Sequence, residues 1–122
     1  MKLNIIPVPK PRMTYSDRWK QRPCVLRYWA YKDRLLELWG EEAELPDTFW
    51  VIFTIPMPKS WSEKKRIEMD GKAHQPVPDW DNMAKAFCDI LRTQDSGIWD
   101  VRTTKLWGRK GLIELRELDP YK

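Results

Sequence analysis

The chain has 122 residues, with Lys+Arg 22 against Asp+Glu 18, a formal charge of +4 and 42% hydrophobic residues. At 14.7 kDa and a mean hydropathy of −0.68, it has the size of one domain over 1–122, able to bury about two thirds of its unfolded surface and too short for two catalytic domains. The longest purely apolar run, Phe49 to Phe53, falls far short of the about 18 residues of a spanning helix, and Pro7 and Pro9 interrupt the N-terminal segment, so neither a membrane span nor a secretory signal is expected.

Residues Lys2 to Val8 read as a short strand stopped by Pro7, Pro9 and Pro11, whose missing N–H groups do not suit a central ladder. Lys10 to Pro23 follows as a basic, turn-rich loop. Apolar residues at Val25, Tyr28, Trp29, Leu35, Leu36 and Trp39, with Gly40 as a C-terminal cap, predict an amphipathic helix. After an acidic connector containing Pro46, Thr48 to Ile55 is rich in β-branched and aromatic residues and reads as a buried strand. Ser60 or Ser62 is placed to cap a short basic helix running to about Asp70 and closed by Gly71. Lys72 to Pro78 is expected as an exposed loop.

Met83, Ala86, Phe87, Ile90 and Leu91 recur at i, i+3, i+4, i+7 and i+8, the clearest helical period in the chain, over about Asn82 to Arg92. Thr103 to Trp107 and Leu112 to Leu118 flank Gly108-Arg109-Lys110-Gly111, which suits a hairpin turn. The expected whole is a single α/β (α+β) domain, a mixed sheet packed by helices.

Charge and aromatic content suggest the partner. Residues 1–40 hold nine Lys/Arg against three Asp/Glu, a local excess of +6 that is larger than the charge of the whole chain and points to something acidic. Eight tryptophans, several beside basic residues as in Arg18-Trp19-Lys20, suit nucleic acid, where cations meet phosphate and aromatic faces stack on unpaired bases. A small domain also needs large side chains for its core, and most of the tryptophans are expected there. Arg12, Arg18, Lys20, Arg22, Lys59, Lys64, Lys65 and Arg66 are candidate phosphate contacts, and Trp19, Trp61 and Trp80 candidate wedges into opened bases. Cys24, Cys88 and the lone His74 do not make a structural zinc site; reduced, partly buried thiols in a cytoplasmic protein are expected. His74 reads as a surface side chain.

The segment with most chemistry is Pro78-Asp79-Trp80-Asp81-Asn82-Met83-Ala84-Lys85, with Asp100 further on in Gly97-Ile98-Trp99-Asp100. In an extended stretch Asp79 and Asp81 point the same way, and two carboxylates that close repel unless a cation or strong donors lie between them. Hard oxygen ligands suit Mg²⁺ or Mn²⁺. Lys85, one turn beyond Asp81, is placed to hold a scissile phosphate, and Asp100 adds a third carboxylate, which together make the parts for metal-assisted phosphodiester hydrolysis. The same residues have a plainer reading: Asp-x-Asp as a helix N-cap, Lys85 as a surface partner of Asp81 or Asp89, and Asp100 as a turn residue.

At these residues the sequence resembles the RusA family of Holliday junction resolvases. The resemblance rests on Asp79-x-Asp81-Asn82-x-x-Lys85, the following Ala86-Phe87-x-Asp89, and Asp100 at the family's third acidic position. Met57-Pro58-Lys59-Ser60-Trp61-Ser62 and Trp99-Asp100-x-Arg102-x-Thr104-Lys105-x-Trp107-Gly108 look like a phage-type subgroup. The resemblance implies a homodimeric nuclease that binds four-way DNA junctions and makes paired symmetric nicks with Mg²⁺ or Mn²⁺. It assigns metal binding to Asp79, Asp81 and Asp100 and an essential cationic role to Lys85. Many members carry two consecutive acids at the third position, whereas here Val101 follows Asp100, leaving Asp100 alone or with help from Asp95. Two alternatives stand beside this reading: a non-catalytic branched-DNA-binding module, and a flap or fork nuclease of phage replication or packaging.

Overall fold

A computed structural model describes residues 1–12, 22–40, 44–92 and 96–118. In chain order its elements are β1 (Lys2–Leu3), α1 (Pro23–Trp39), β2 (Thr48–Pro56), α2 (Glu63–Met69), α3 (Trp80–Leu91), β3 (Asp100–Gly108) and β4 (Leu112–Arg116). The strands form one mixed sheet in the order β1-β4-β2-β3, with β2 parallel to β3 and antiparallel to β4.

The apolar run in β2 explains its central position. Phe49, Val51 and Phe53 have no exposed surface, and their alternation turns all three to one face. On that face α1 contributes Tyr28, Tyr31, Leu35 and Trp39, and α3 contributes Met83, Ala86, Phe87 and Ile90. The Phe87 ring lies 6.3 Å from Trp39 and 6.0 Å from both Phe49 and Phe53, at tilted or edge-on angles that favour aromatic pairs. Both helices therefore cover the same side of the sheet.

The helical periods locate α1 and α3 correctly, with α1 starting at Pro23, a residue suited to the first helical turn, and ending at Gly40 with φ 92°. Within α1 the buried stripe differs from the expected one: Tyr31 is buried, while Trp29 and Leu36 are exposed. Ser62, one of the two expected caps, accepts a hydrogen bond from the Lys65 amide at 3.2 Å and starts α2. β1 is shorter than the expected strand because pairing with β4 stops at Leu3, ahead of the prolines.

The expected hairpin of β3 and β4 is not formed, because β2 lies between them and pairs with both. Residues 109–111 instead cross the end of β2, where Gly108 packs against Thr54 with no room for a β-carbon. The segment before α3 is the expected loop, exposed at Lys72, Ala73, Gln75, Pro76 and Val77, but it is docked on the sheet: the Gly71 and His74 amides donate to the Trp107 and Lys105 carbonyls, and the Trp107 amide donates to the Lys72 carbonyl. This stretch caps the edge of β3, which would otherwise offer unpaired backbone groups.

The tryptophans also depart from a simple core assignment. Of the seven described, Trp39 and Trp107 are buried, Trp50 and Trp61 are half-buried, and Trp29, Trp80 and Trp99 are exposed. No disulfide joins Cys24 and Cys88, the former exposed and the latter half-buried. Among the described residues no helix is long and apolar enough to cross a membrane.

Candidate metal and nucleic-acid site

The first turn of α3 carries the acids. Asp79 is its N-cap, with φ −68° and ψ 148°, but its side chain makes no capping hydrogen bond. Asp81 lies in the first turn, where the positive end of the helix dipole favours a carboxylate. Both acids are exposed, and among the described residues neither takes part in a salt bridge. With His74, Gln75, Trp80 and Lys105 they line a cleft of about 540 Å³.

A second cleft of about 400 Å³ adjoins the same helical turn and is lined by Lys10, Pro11, Arg12, Asn82 and Lys85. The Lys10 amide donates to the Asn82 carbonyl at 3.4 Å, tying the N-terminal segment to α3. Lys85 has its ammonium 3.7 Å from Asp89, and Lys10 lies 2.5 Å from the same carboxylate. Asp89 thus holds two cations at this cleft. Lys85 is mostly exposed, and its contact to Asp89 is long enough to release the ammonium to a phosphate at little cost.

Asp100 is placed elsewhere. In β3 it alternates with Arg102 and Thr104, and Thr104 accepts a 3.0 Å hydrogen bond from the Trp50 indole on the sheet face opposite the helices. The Arg102 and Arg116 guanidinium groups lie 4.2 and 5.1 Å from the centre of the Trp50 ring on this face. Val101, not Asp100, occupies the helix-facing position beside Phe49. Lys105, which meets the acid cleft, is five residues further along β3, about 16 Å at strand rise. Among the described residues no group of three His, Cys, Asp or Glu is arranged to hold a metal ion. Asp79 and Asp81 come together; Asp100 of the same chain does not join them. Asp95 lies outside the described residues.

The chemistry of the donor set nevertheless fits a small divalent cation. Mg²⁺ is commonly held by one or two carboxylates and completes its shell with water and substrate phosphate, and the paired acids at the open cleft meet that requirement. Among the described residues, Lys105 is the lysine that lines their cleft.

The expected phosphate contacts divide into groups. Arg12 lines the basic cleft, and its carbonyl accepts from the Arg22 guanidinium at 2.6 Å, so Arg22 braces this segment. Arg18, Lys20 and Trp19 lie outside the described residues. Lys59 and Lys64 are exposed. Arg66 is half-buried and donates to the carbonyls of Trp61 and Pro58 at 3.3 and 3.0 Å, which makes it a brace of the turn before α2. Lys65 lies over the Trp61 ring at 4.2 Å, Trp61 packs on Trp107 at 4.8 Å, and Trp107 packs on His74 at 4.3 Å. Trp61 is therefore held in a column linking α2 to the acid cleft. Trp80, between the two acids, is 59% exposed and remains available for stacking.

The sequence pattern missed two residues of the cleft. His74 is not a surface side chain: it is 5% exposed, with Nδ1 buried and unpartnered. Burial lowers its pKa, and the nearby Lys105 charge lowers it further. Lys105 was visible as a lysine between Thr103 and Trp107 on the inward side of a strand, an unusual place for a charge, but nothing local showed what it faces.

A family model described as Endodeoxyribonuclease RusA matches residues 5–116. The chain belongs to this endodeoxyribonuclease family, which makes it a nuclease-family protein acting on DNA. No curated protein and no solved structure gave a match.

Proposed function

We propose that this protein is a metal-dependent, structure-selective endodeoxyribonuclease that resolves four-way DNA junctions by paired nicks, working as a homodimer in the cytoplasm. The observation that carries the reading is the pairing of an acidic and a basic cleft on one turn of α3. Asp79 and Asp81 serve a divalent cation, while Lys85 and Arg12 serve the phosphates beside it.

Bound Mg²⁺ or Mn²⁺ supplies Lewis-acid polarisation of the scissile phosphate and lowers the pKa of the attacking water. The protein holds the acids at the positive end of α3 and orients the strand. Lys85, positioned by Asp89, neutralises charge on the phosphate oxygens as it builds up during in-line attack. Trp80 stacks on a base beside the cleaved bond. The 3′-oxygen leaves, and a two-fold dimer supplies the second site for the opposing nick.

Cleavage of a labelled four-way junction beside a linear duplex of the same sequence, in Mg²⁺, Mn²⁺ or EDTA, tests this. Symmetric, metal-dependent nicks in the junction that disappear with Asp81→Asn are expected. Equal cutting of flaps or forks would move the substrate to branched DNA in general. A second reading, a branched-DNA-binding module without catalysis, draws on the placement of Val101 at the inward position of β3 and of Asp100 on the other face. Tight junction binding without cleavage in any metal would favour it.

A further inference from the structure

Lys105 extends from the helix-covered side of β3, and its ammonium donates to the carbonyl oxygens of Pro76 at 2.9 Å and Pro78 at 2.5 Å. Pro78 directly precedes Asp79. Upstream, residues 71–74 are pinned to β3 by backbone hydrogen bonds; downstream, the Asp79 carbonyl accepts the Met83 amide of α3. Between these points, residues 75–78 make no backbone–backbone hydrogen bond among the described residues. Lys105 bridges that gap. Because the Asp79 side chain does not cap its own helix, its direction depends on the backbone that Lys105 holds.

We propose that Lys105 is a positioning residue for the divalent cation: it fastens residues 76–78 to β3 and so sets the Asp79 carboxylate beside Asp81. This rests on the metal-dependent reading above. A positive charge near a cation site opposes metal binding by Coulomb repulsion, whereas an anchor that aligns a ligand favours it. The two roles predict opposite signs when the lysine is removed.

The test is Mn²⁺ titration of the full chain without DNA, followed by electron paramagnetic resonance of the free ion, for wild type, Lys105→Met, Lys105→Gln and Lys105→Arg. Thermal melting and junction binding in EDTA are measured in parallel. Lys105→Met is expected to weaken Mn²⁺ binding about 10–100-fold, with junction binding in EDTA unchanged and most of the affinity restored in Lys105→Arg. Unchanged or tighter Mn²⁺ binding in Lys105→Met would overturn the proposal. Should that variant not fold, Lys105→Gln decides: weaker binding than Lys105→Arg supports the anchor, and equal binding overturns it. A wild-type protein that binds no Mn²⁺ would overturn the metal site itself and this inference with it, an outcome separable because it needs no variant.

Discussion

The two ends of β3 place their charged residues in contrasting settings. Near its C-terminal end, Lys105 faces the helix layer and meets Asp79 and Asp81 across an open cleft. At its beginning, Asp100 turns to the opposite sheet face, where Trp50 lies between Arg102 and Arg116. A cleft of about 410 Å³ at that end is lined by Pro46, Thr48, Leu115, Arg116, Glu117 and Leu118, without the paired-acid arrangement. Acids joined in a sequence motif share a site only if strand rise and alternation allow it. Within one chain, both separate Asp100 from the other two.

The largest expected effect is at the first end. Asp81→Asn should reduce metal-dependent cleavage by about 100-fold or more while the fold and junction binding in EDTA persist. Assays of single-turnover cleavage with parallel melting curves check this; retained activity would remove the paired acids from the chemistry. Asp100→Asn sharpens the contrast. If the separation within one chain also holds in the working protein, its loss should be smaller than that of Asp81→Asn by at least about tenfold. An equal loss would mean that a second copy brings its own Asp100 to the cleft, and mixing each single variant with the other would then show partial rescue.

Phe87→Ala tests whether the helix layer under the acid end is the stabilising one. The ring is fully buried between three aromatic neighbours, so a loss of about 3–5 kcal/mol in urea unfolding is expected. Trp80→Leu should weaken junction binding or cleavage with little change in melting temperature, since the ring is exposed. Trp61→Leu should do the reverse, because Trp61 packs between Lys65 and Trp107.

The smallest effect concerns pH. Burial and the Lys105 charge lower the His74 pKa in the folded state, so the unfolded chain binds the additional proton first as pH falls through its ordinary value near 6.5. Wild type should therefore lose stability relative to His74→Phe as pH drops from about 7.5 to about 5.5. Parallel denaturation curves at those two pH values decide it; a constant difference between the proteins would show that His74 does not titrate differently on folding.

Local spacing was enough to mark several elements and the acids. The i, i+3, i+4 period of Met83 to Leu91 defined the inward face of α3, the serines at 60 and 62 bracketed the start of α2, which falls at Ser62, and the β-branched and aromatic run from Thr48 marked β2. The helix that follows Asp79 came from the same local rules, although it starts at Trp80 and takes in Asp81, so the two acids do not lie in one extended stretch. Each depends on residues a few positions apart, whose geometry the backbone period dictates.

Tertiary structure decided what distant segments do to one another. β2 separates β3 from β4 because its two backbone edges pair one with each, a contact that turn residues at Gly108 and Gly111 do not specify. His74 became buried only when its segment docked on the edge of β3, and Lys105 became part of the acid cleft only because that docking placed Pro76 and Pro78 against its ammonium. Residue types and local spacing supply the chemistry; docking of the segment before α3 on β3 puts Asp79, Asp81 and Lys105 at one cleft, and strand alternation turns Asp100 the other way.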